Sequence, residues 1–182
     1  MITTISGTPG SGKTTVAQIL AERRGMVLVA AGMLFRTMAE EKGMSLEQFG
    51  RFAEKNSDVD RELDRLILEK MKGPAGQKGM VVDWRLSGYA ASANRVDAFK
   101  VWIDASLDVR VKRVMGREDK SFEQVKKEIL TREKSERKRY KRIYDLDLDD
   151  RSVYDLCIDS DDLTPEQVVE RIIEEEGRHE PG

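Results

Sequence analysis

Nine consecutive residues near the N-terminus, Gly7-Thr8-Pro9-Gly10-Ser11-Gly12-Lys13-Thr14-Thr15, carry the most readily named chemistry in the chain. They match GxxxxGK[ST] and lie between a strand-like run, Ile2-Thr3-Thr4-Ile5-Ser6, and a helical pattern that begins at Lys13. Glycines at 7, 10 and 12 permit torsions that bring successive backbone N–H groups around a phosphate, and the dipole of the following helix favours the anion. Lys13 would bridge the β and γ phosphates of a nucleoside triphosphate, and the Thr14 hydroxyl would bind Mg²⁺. A glycine-rich turn before a helix would match the bare pattern by chance in about one chain in a hundred or fewer, judged from typical residue frequencies. The placement between strand and helix makes the match specific.

A second group of residues decides what such a loop is for. The third apolar run ends in Val81-Val82-Asp83-Trp84-Arg85. Asp83 at the carboxyl end of a sheet, beside the loop, could hold a Mg²⁺-bound water. Arg85 would project into the same crevice and offer bidentate donors to the phosphate of a second substrate. A strand-end cap and a surface salt bridge are the plain structural alternatives for these two. Asn94-Arg95-Val96-Asp97 resembles a guanine-reading box only superficially, because it follows the third strand by about ten residues and no DxxG follows a strand. One carboxylate followed by an arginine also differs from the acidic pair of motor ATPases. The balance favours a small-molecule kinase.

These side chains need a scaffold. Apolar runs at 2–6, 26–30, 79–83, 99–103 and 153–159 alternate with helical patterns, which predicts an α/β fold with a five-stranded parallel sheet flanked by helices. The first helix stops at Gly25. Residues 31–42 and 45–72 read as helices, with Ser45 and Asp58 as N-caps, Glu47 in the first turn, and the Gly73-Pro74-Ala75-Gly76 cluster as terminator. Residues 107–117 and 121–143 read as two charged helices. Thr164 caps a final helix with Pro165 at its first position. The expected organisation is a single domain over 1–176, with helical insertions at about 31–72 and 112–151, and a frayed tail over 177–182.

With 182 residues, a net charge of −2 and pI ≈ 5.7, the chain does not have the composition of a protein that coats nucleic acid. The segment from Lys126 to Arg142 is nevertheless locally basic, with nine cationic against three acidic residues. A lone Cys157 and the absence of a Cys/His cluster suit a reducing compartment, and no apolar run approaches membrane-spanning length. The expectation is a cytoplasmic protein, working as a monomer without membrane or nucleic acid. Cys157, in an apolar strand, is expected to be core, and His179, in the tail, inert.

Taken together, Gly7 to Ala17, Ala31-Gly32-Met33-Leu34-Phe35-Arg36, Val82-Asp83-Trp84-Arg85 and Trp102-Ile103-Asp104-Ala105-Ser106-Leu107 resemble nucleoside monophosphate kinases, and specifically the archaeal type of cytidylate kinase. Gly43-Met44-Ser45-Leu46-Glu47, Asp60-Arg61-Glu62-Leu63-Asp64 and Arg139-Tyr140-Lys141-Arg142-Ile143-Tyr144 extend the likeness over essentially the whole chain. Met33 stands where an acidic or polar residue often follows Ala-Gly, and Trp84 replaces a common glycine. The resemblance implies ATP as donor, Mg²⁺ as cofactor and CMP, with dCMP, as acceptor. It also implies that Arg36 contacts the acceptor phosphate and that a helix-borne lid closes over the triphosphate.

Arg132 and Arg139 lie seven residues apart, on one face of a helix, and so could act together; the resemblance implies that they stabilise charge on the transferred phosphoryl group, the plain alternative being a solvated basic helix. Arg61 and Asp64, one turn apart, could read a nucleobase edge or could simply pair with each other. Arg113 and Arg117 are further candidates. No histidine is required, because an acceptor phosphate is already anionic near neutral pH. Adenylate kinase activity, a kinase for a hydroxyl acceptor with Asp83 as base, and an RNA-binding nucleotide switch docking through 126–142 remain the alternatives.

Overall fold

The computed structural model describes residues 1–116 and 119–179, the side chains of Leu46, Glu47 and His179 excepted, so Arg117 and the His179 imidazole lie outside the described residues. Five parallel strands form one sheet in the order β2-β3-β1-β4-β5: β1 (Ile2–Gly7), β2 (Val27–Ala30), β3 (Met80–Asp83), β4 (Phe99–Asp104) and β5 (Leu156–Asp159). The three inner strands are largely buried on both faces because helices cover both sides, and β1 buries Thr3, Thr4 and Ser6 along with its isoleucines. Along β3, for example, Met80 and Val82 enter the core beneath the inserted helices, while Val81 faces the opposite core with Ile5, Val101 and Ile103.

That opposite core is closed by α1 (Lys13–Arg24) and α9 (Pro165–His179), through Val16, Leu20, Val168 and Ile172. The helix α9 runs to His179, past the point where the sequence suggested fraying at 177. An ion pair between Arg178 and Glu175, one turn apart, supports its last turn. Buried Glu176 further ties it down, accepting from the Thr3 hydroxyl and pairing with Arg24 at 2.7 Å.

On the other face lie α2 (Ala31–Glu41), α3 (Leu46–Lys55), α4 (Ser57–Lys72), the short α5 (Pro74–Lys78) and α6 (Ser87–Ala93). The helix read over 45–72 is broken at Asn56, whose extended backbone ends α3 and whose amide donates to Phe52 O at 2.9 Å. Ser45 caps α3 in a capping box with Gln48, as its hydroxyl accepts from the Gln48 N–H. The cap of α4 is Asn56 rather than Asp58, which instead places its charge in the first turn. The run ends at the expected cluster, with Gly73 as the C-cap of α4, and Pro74 then starts the short α5, where a proline at the first helical position costs no hydrogen bond.

The last insertion comprises α7 (Leu107–Met115) and α8 (Phe122–Tyr144), packed together through Val111, Val125 and Ile129. The chain returns to β5 through 145–155, and the strand starts at Leu156 rather than 153. Tyr154 is instead drawn under the sheet, its ring against Trp102 and Tyr89, and the Asp155 carboxylate accepts the Lys100 N–H at 2.7 Å. Because β5 is an edge strand, its alternation buries Ile158 and turns Cys157 outward, correcting the expectation that the thiol is core. Trp84 is 4 % exposed and packs in the core, whereas Met33 is 59 % exposed. Among the described residues no helix is long and apolar enough to cross a membrane.

Candidate active site

The phosphate loop follows directly from β1. Gly10 and Gly12 take φ of 83° and 89°, a left-handed region that a side chain would strain. Gly12 is the N-cap of α1, and no side chain caps that helix end, which leaves its first-turn N–H groups available to an anion. Three arginines hold alternate carbonyls of the loop from outside. Arg85 Nη1 donates to Gly7 O, Arg110 Nη1 to Pro9 O at 3.1 Å, and Arg113 Nη1 to Ser11 O at 3.0 Å. Thr8 is fastened as well, donating to Asp104 Oδ1 at 2.7 Å. The cradle is thus fastened by contacts within the chain, and Ser11 Oγ is buried within it without a hydrogen-bond partner among the described residues.

A cleft of about 200 Å³ opens on this loop, lined by Gly10, Gly12, Lys13, Thr14, Thr15, Val114 and Arg132. Burial pushes the Lys13 ammonium below its usual pKa, and Asp83 opposes that shift. Thr14 Oγ1 donates to Asp83 Oδ2 at 2.6 Å, while Asp83 Oδ1 is buried with no hydrogen bond of its own. A hydroxyl beside a carboxylate oxygen with unused acceptor capacity is the donor set that suits a hard oxygen-seeking cation such as Mg²⁺.

Arg85 does not reach out of the crevice. Its side chain is 8 % exposed, with Nε 3.1 Å from Glu136 Oε2 on α8 and the guanidinium 4.9 Å from the Trp102 ring centroid. Burial lowers its pKa, and the Glu136 charge counters this. Arg151, in the return segment, covers the indole at 3.6 Å. Glu136 also holds Arg132, whose Nε donates to Oε1 at 2.9 Å. One carboxylate from the insertion therefore joins Arg85, just past the end of β3, to an arginine of the cleft.

The remaining expected residues are placed unequally. Arg139 is turned from the cleft toward α4, with Nε 3.3 Å from Asp60 Oδ2 and its guanidinium against the Tyr140 ring. It does not join Arg132 at the loop. Arg36 is exposed on α2. Asp64 accepts from the Tyr144 hydroxyl, and burial raises its carboxyl to about 7. Arg61 is exposed, and with Asp64, Arg65, Leu68, Glu69, Lys72, Gly73 and Tyr144 it lines a separate groove of about 590 Å³ that no loop residue enters.

Sequence reasoning missed Arg110 and undervalued Glu136 and Asp60. Arg110 is 7 % exposed and links three elements, donating to Ala105 O at 3.0 Å, Pro9 O and Glu133 Oε1 at 2.7 Å. Its only sequence signal is an arginine otherwise surrounded by valines on the helix after β4. Glu136 was legible only as an i,i+4 partner of Arg132.

A strand, a phosphate loop, a cradle fastened by arginines and an arginine-bearing helical insertion define a P-loop kinase. Solved structures share that fold. An uncharacterized protein from Eubacterium ventriosum superposes with a TM-score of 0.73 at 21 % identity, covering 96 % of each chain. Shikimate kinase from Aquifex aeolicus gives 0.57 at 18 % identity over the whole of both chains. The sequence narrows the class further, since the model of the cytidylate kinase-like family matches residues 2–162, and the chain belongs to that family. Cytidylate kinase of Methanococcus vannielii is 42 % identical over 161 residues, covering 88 % of this chain and 90 % of that one. Cytidylate kinase of Archaeoglobus fulgidus is 42 % identical over 170 residues, covering 93 % and 91 %.

Proposed function

We propose that the protein transfers the γ-phosphoryl group of ATP to CMP, and to dCMP, giving the diphosphate. The observation that carries the reading is the site itself joined to family membership: a phosphate cradle fastened by three arginines, in a chain about 40 % identical to cytidylate kinases over most of its length. In this reading, residues 7–15 bind the donor phosphates, and Lys13 and Arg132 stabilise charge on the transferred group. Thr14 and, through water, Asp83 hold Mg²⁺, which when bound neutralises charge on the phosphate oxygens. Arg36, exposed on α2, serves the acceptor phosphate, while Arg85, buried beneath the loop and held by Gly7 O and Glu136, supports the cradle and does not contact the acceptor. No base is needed, since the acceptor oxygen is anionic. We read the enzyme as a cytoplasmic monomer acting on small nucleotides.

The test is a coupled assay of the purified protein with ATP, Mg²⁺ and each of CMP, dCMP, UMP, AMP and GMP. CMP should give the highest kcat/KM. Preferred turnover of AMP would transfer the assignment to adenylate kinase, and ATP hydrolysis indifferent to any acceptor would overturn the kinase reading.

A further inference from the structure

Arg132 lines the phosphate cleft together with Lys13, yet it belongs to α8 and its side chain is 63 % exposed. Two effects work against its standing there. A long, exposed side chain has many rotamers to choose from. The Arg132 charge also disfavours the Lys13 ammonium, so the two cations repel one another until an anion lies between them.

Glu136, one turn further along α8, opposes both effects. Its Oε1 accepts from Arg132 Nε at 2.9 Å, and its Oε2 lies 3.1 Å from Arg85 Nε. Arg85 in turn donates to Gly7 O, the first carbonyl of the loop. An ordinary i,i+4 ion pair on an exposed helix face fixes little, because both partners move. Here the carboxylate is 7 % exposed and tied to the loop through Arg85, so only the arginine end is free. The grip is on a single nitrogen. Among the described residues, neither terminal amino group of Arg132 has a hydrogen-bond partner, which leaves both for phosphate oxygens in the forked geometry that suits them.

We propose that Glu136 is a positioning residue for phosphoryl transfer, holding Arg132 by Nε so that its two terminal amino groups meet the transferred group. The inference rests on the reading above in which Arg132 stabilises charge on that group. Glu136 touches neither substrate in this role and acts through Arg132. Its charge matters as well as its shape, because it offsets the repulsion between Arg132 and Lys13. The line from Gly7 O through Arg85 and Glu136 to Arg132 places the arginine relative to the phosphate loop itself, and not only relative to its own helix.

The experiment is a double-mutant cycle read in kcat, with ATP and CMP each varied. Glu136→Gln should lower kcat about ten- to hundredfold, the scale of a misplaced catalytic group, and leave both KM values near wild type. In an Arg132→Ala background the same change should cost less than about twofold. Arg132→Lys keeps the charge but has no Nε–H to be held by, and at an exposed position it should fold normally; its kcat should fall as far as that of Glu136→Gln. Losses that multiply in the double variant would overturn the assignment, and so would wild-type kcat in Arg132→Lys, which decides the matter if Glu136→Gln does not fold. A higher kcat in Glu136→Gln would overturn it too, by making the contact a restraint on Arg132. A rise in the KM for ATP that persists without Arg132 would assign Glu136 to the loop through Arg85 instead. Full activity of Arg132→Ala, by contrast, would remove Arg132 from the proposed mechanism, and a wild type that phosphorylates no nucleoside monophosphate would overturn the kinase reading itself.

Discussion

The Thr14 hydroxyl donates to Asp83 Oδ2 at 2.6 Å, joining the first turn of α1 to the last residue of β3. Sixty-nine residues separate them in sequence, and the parallel pairing of β1 with β3 makes them neighbours. Both oxygens are proposed to serve the same cation, one directly and one through water. Asp83→Asn and Thr14→Val should each lower kcat by about 10²–10³, the cost of removing one preorganised electrostatic contact in a closed site. The Mg²⁺ concentration giving half-maximal rate should rise in both, and an unchanged Mg²⁺ titration would remove the pair from cation binding.

Arg110 is expected to matter for the donor alone. It holds Pro9 O and Ala105 O while pairing with Glu133 of α8, so Arg110→Met frees two buried carbonyls and loosens the loop. The KM for ATP should rise about tenfold with a smaller change in the KM for CMP, and unfolding free energy should fall by about 1–3 kcal/mol. Steady-state kinetics with each substrate varied in turn separates the two effects.

Glu136 is the counter-charge of a buried arginine. Removing it in Glu136→Ala leaves Arg85, 8 % exposed at its side chain, without a carboxylate. Urea denaturation should show a loss of about 3 kcal/mol, as expected when one partner of a buried pair is deleted. The double variant Glu136→Ala with Arg85→Met should recover part of that loss, because no uncompensated charge then remains; a further additive loss would refute the pairing argument.

Asp64 should make stability depend on pH in the direction opposite to most carboxylates. Burial holds its carboxyl at about 7 in the folded protein, well above the unfolded value. Between pH 4 and 7, roughly, the folded state keeps a proton that the unfolded chain has released. Its contribution is therefore full below pH 4 and is lost as pH rises through 7. Asp60, also raised by burial, adds in the same sense. The urea midpoint followed across this range should decline less steeply in Asp64→Asn, and parallel curves would exclude Asp64 as the source.

Local sequence determined the donor half of this enzyme. A glycine-rich loop between a strand and a helix can fold in few ways, and its torsions, its N–H groups and Lys13 are set within nine residues. The alternation of strand-like runs with helical patterns was likewise enough to predict five parallel strands, since strand–helix alternation places helices on the faces of a parallel sheet. Where local patterns failed, a long-range contact had intervened. Cys157 faces out because β5 is the sheet edge, and the segment before β5 leaves the strand because Tyr154 packs beneath Trp102.

Tertiary structure alone decided the partners of the arginines. A long cationic side chain states its charge in sequence but not its direction, because several carboxylates lie within reach of a flexible guanidinium. Arg132 and Arg139 share a helix face, yet folding sends one to the phosphate loop and the other to Asp60, since α4 packs beside only one of them. Arg85 and Arg110, buried by elements far away in the chain, became supports of the loop for the same reason: burial forces a charge to find whichever acceptors the assembled fold provides.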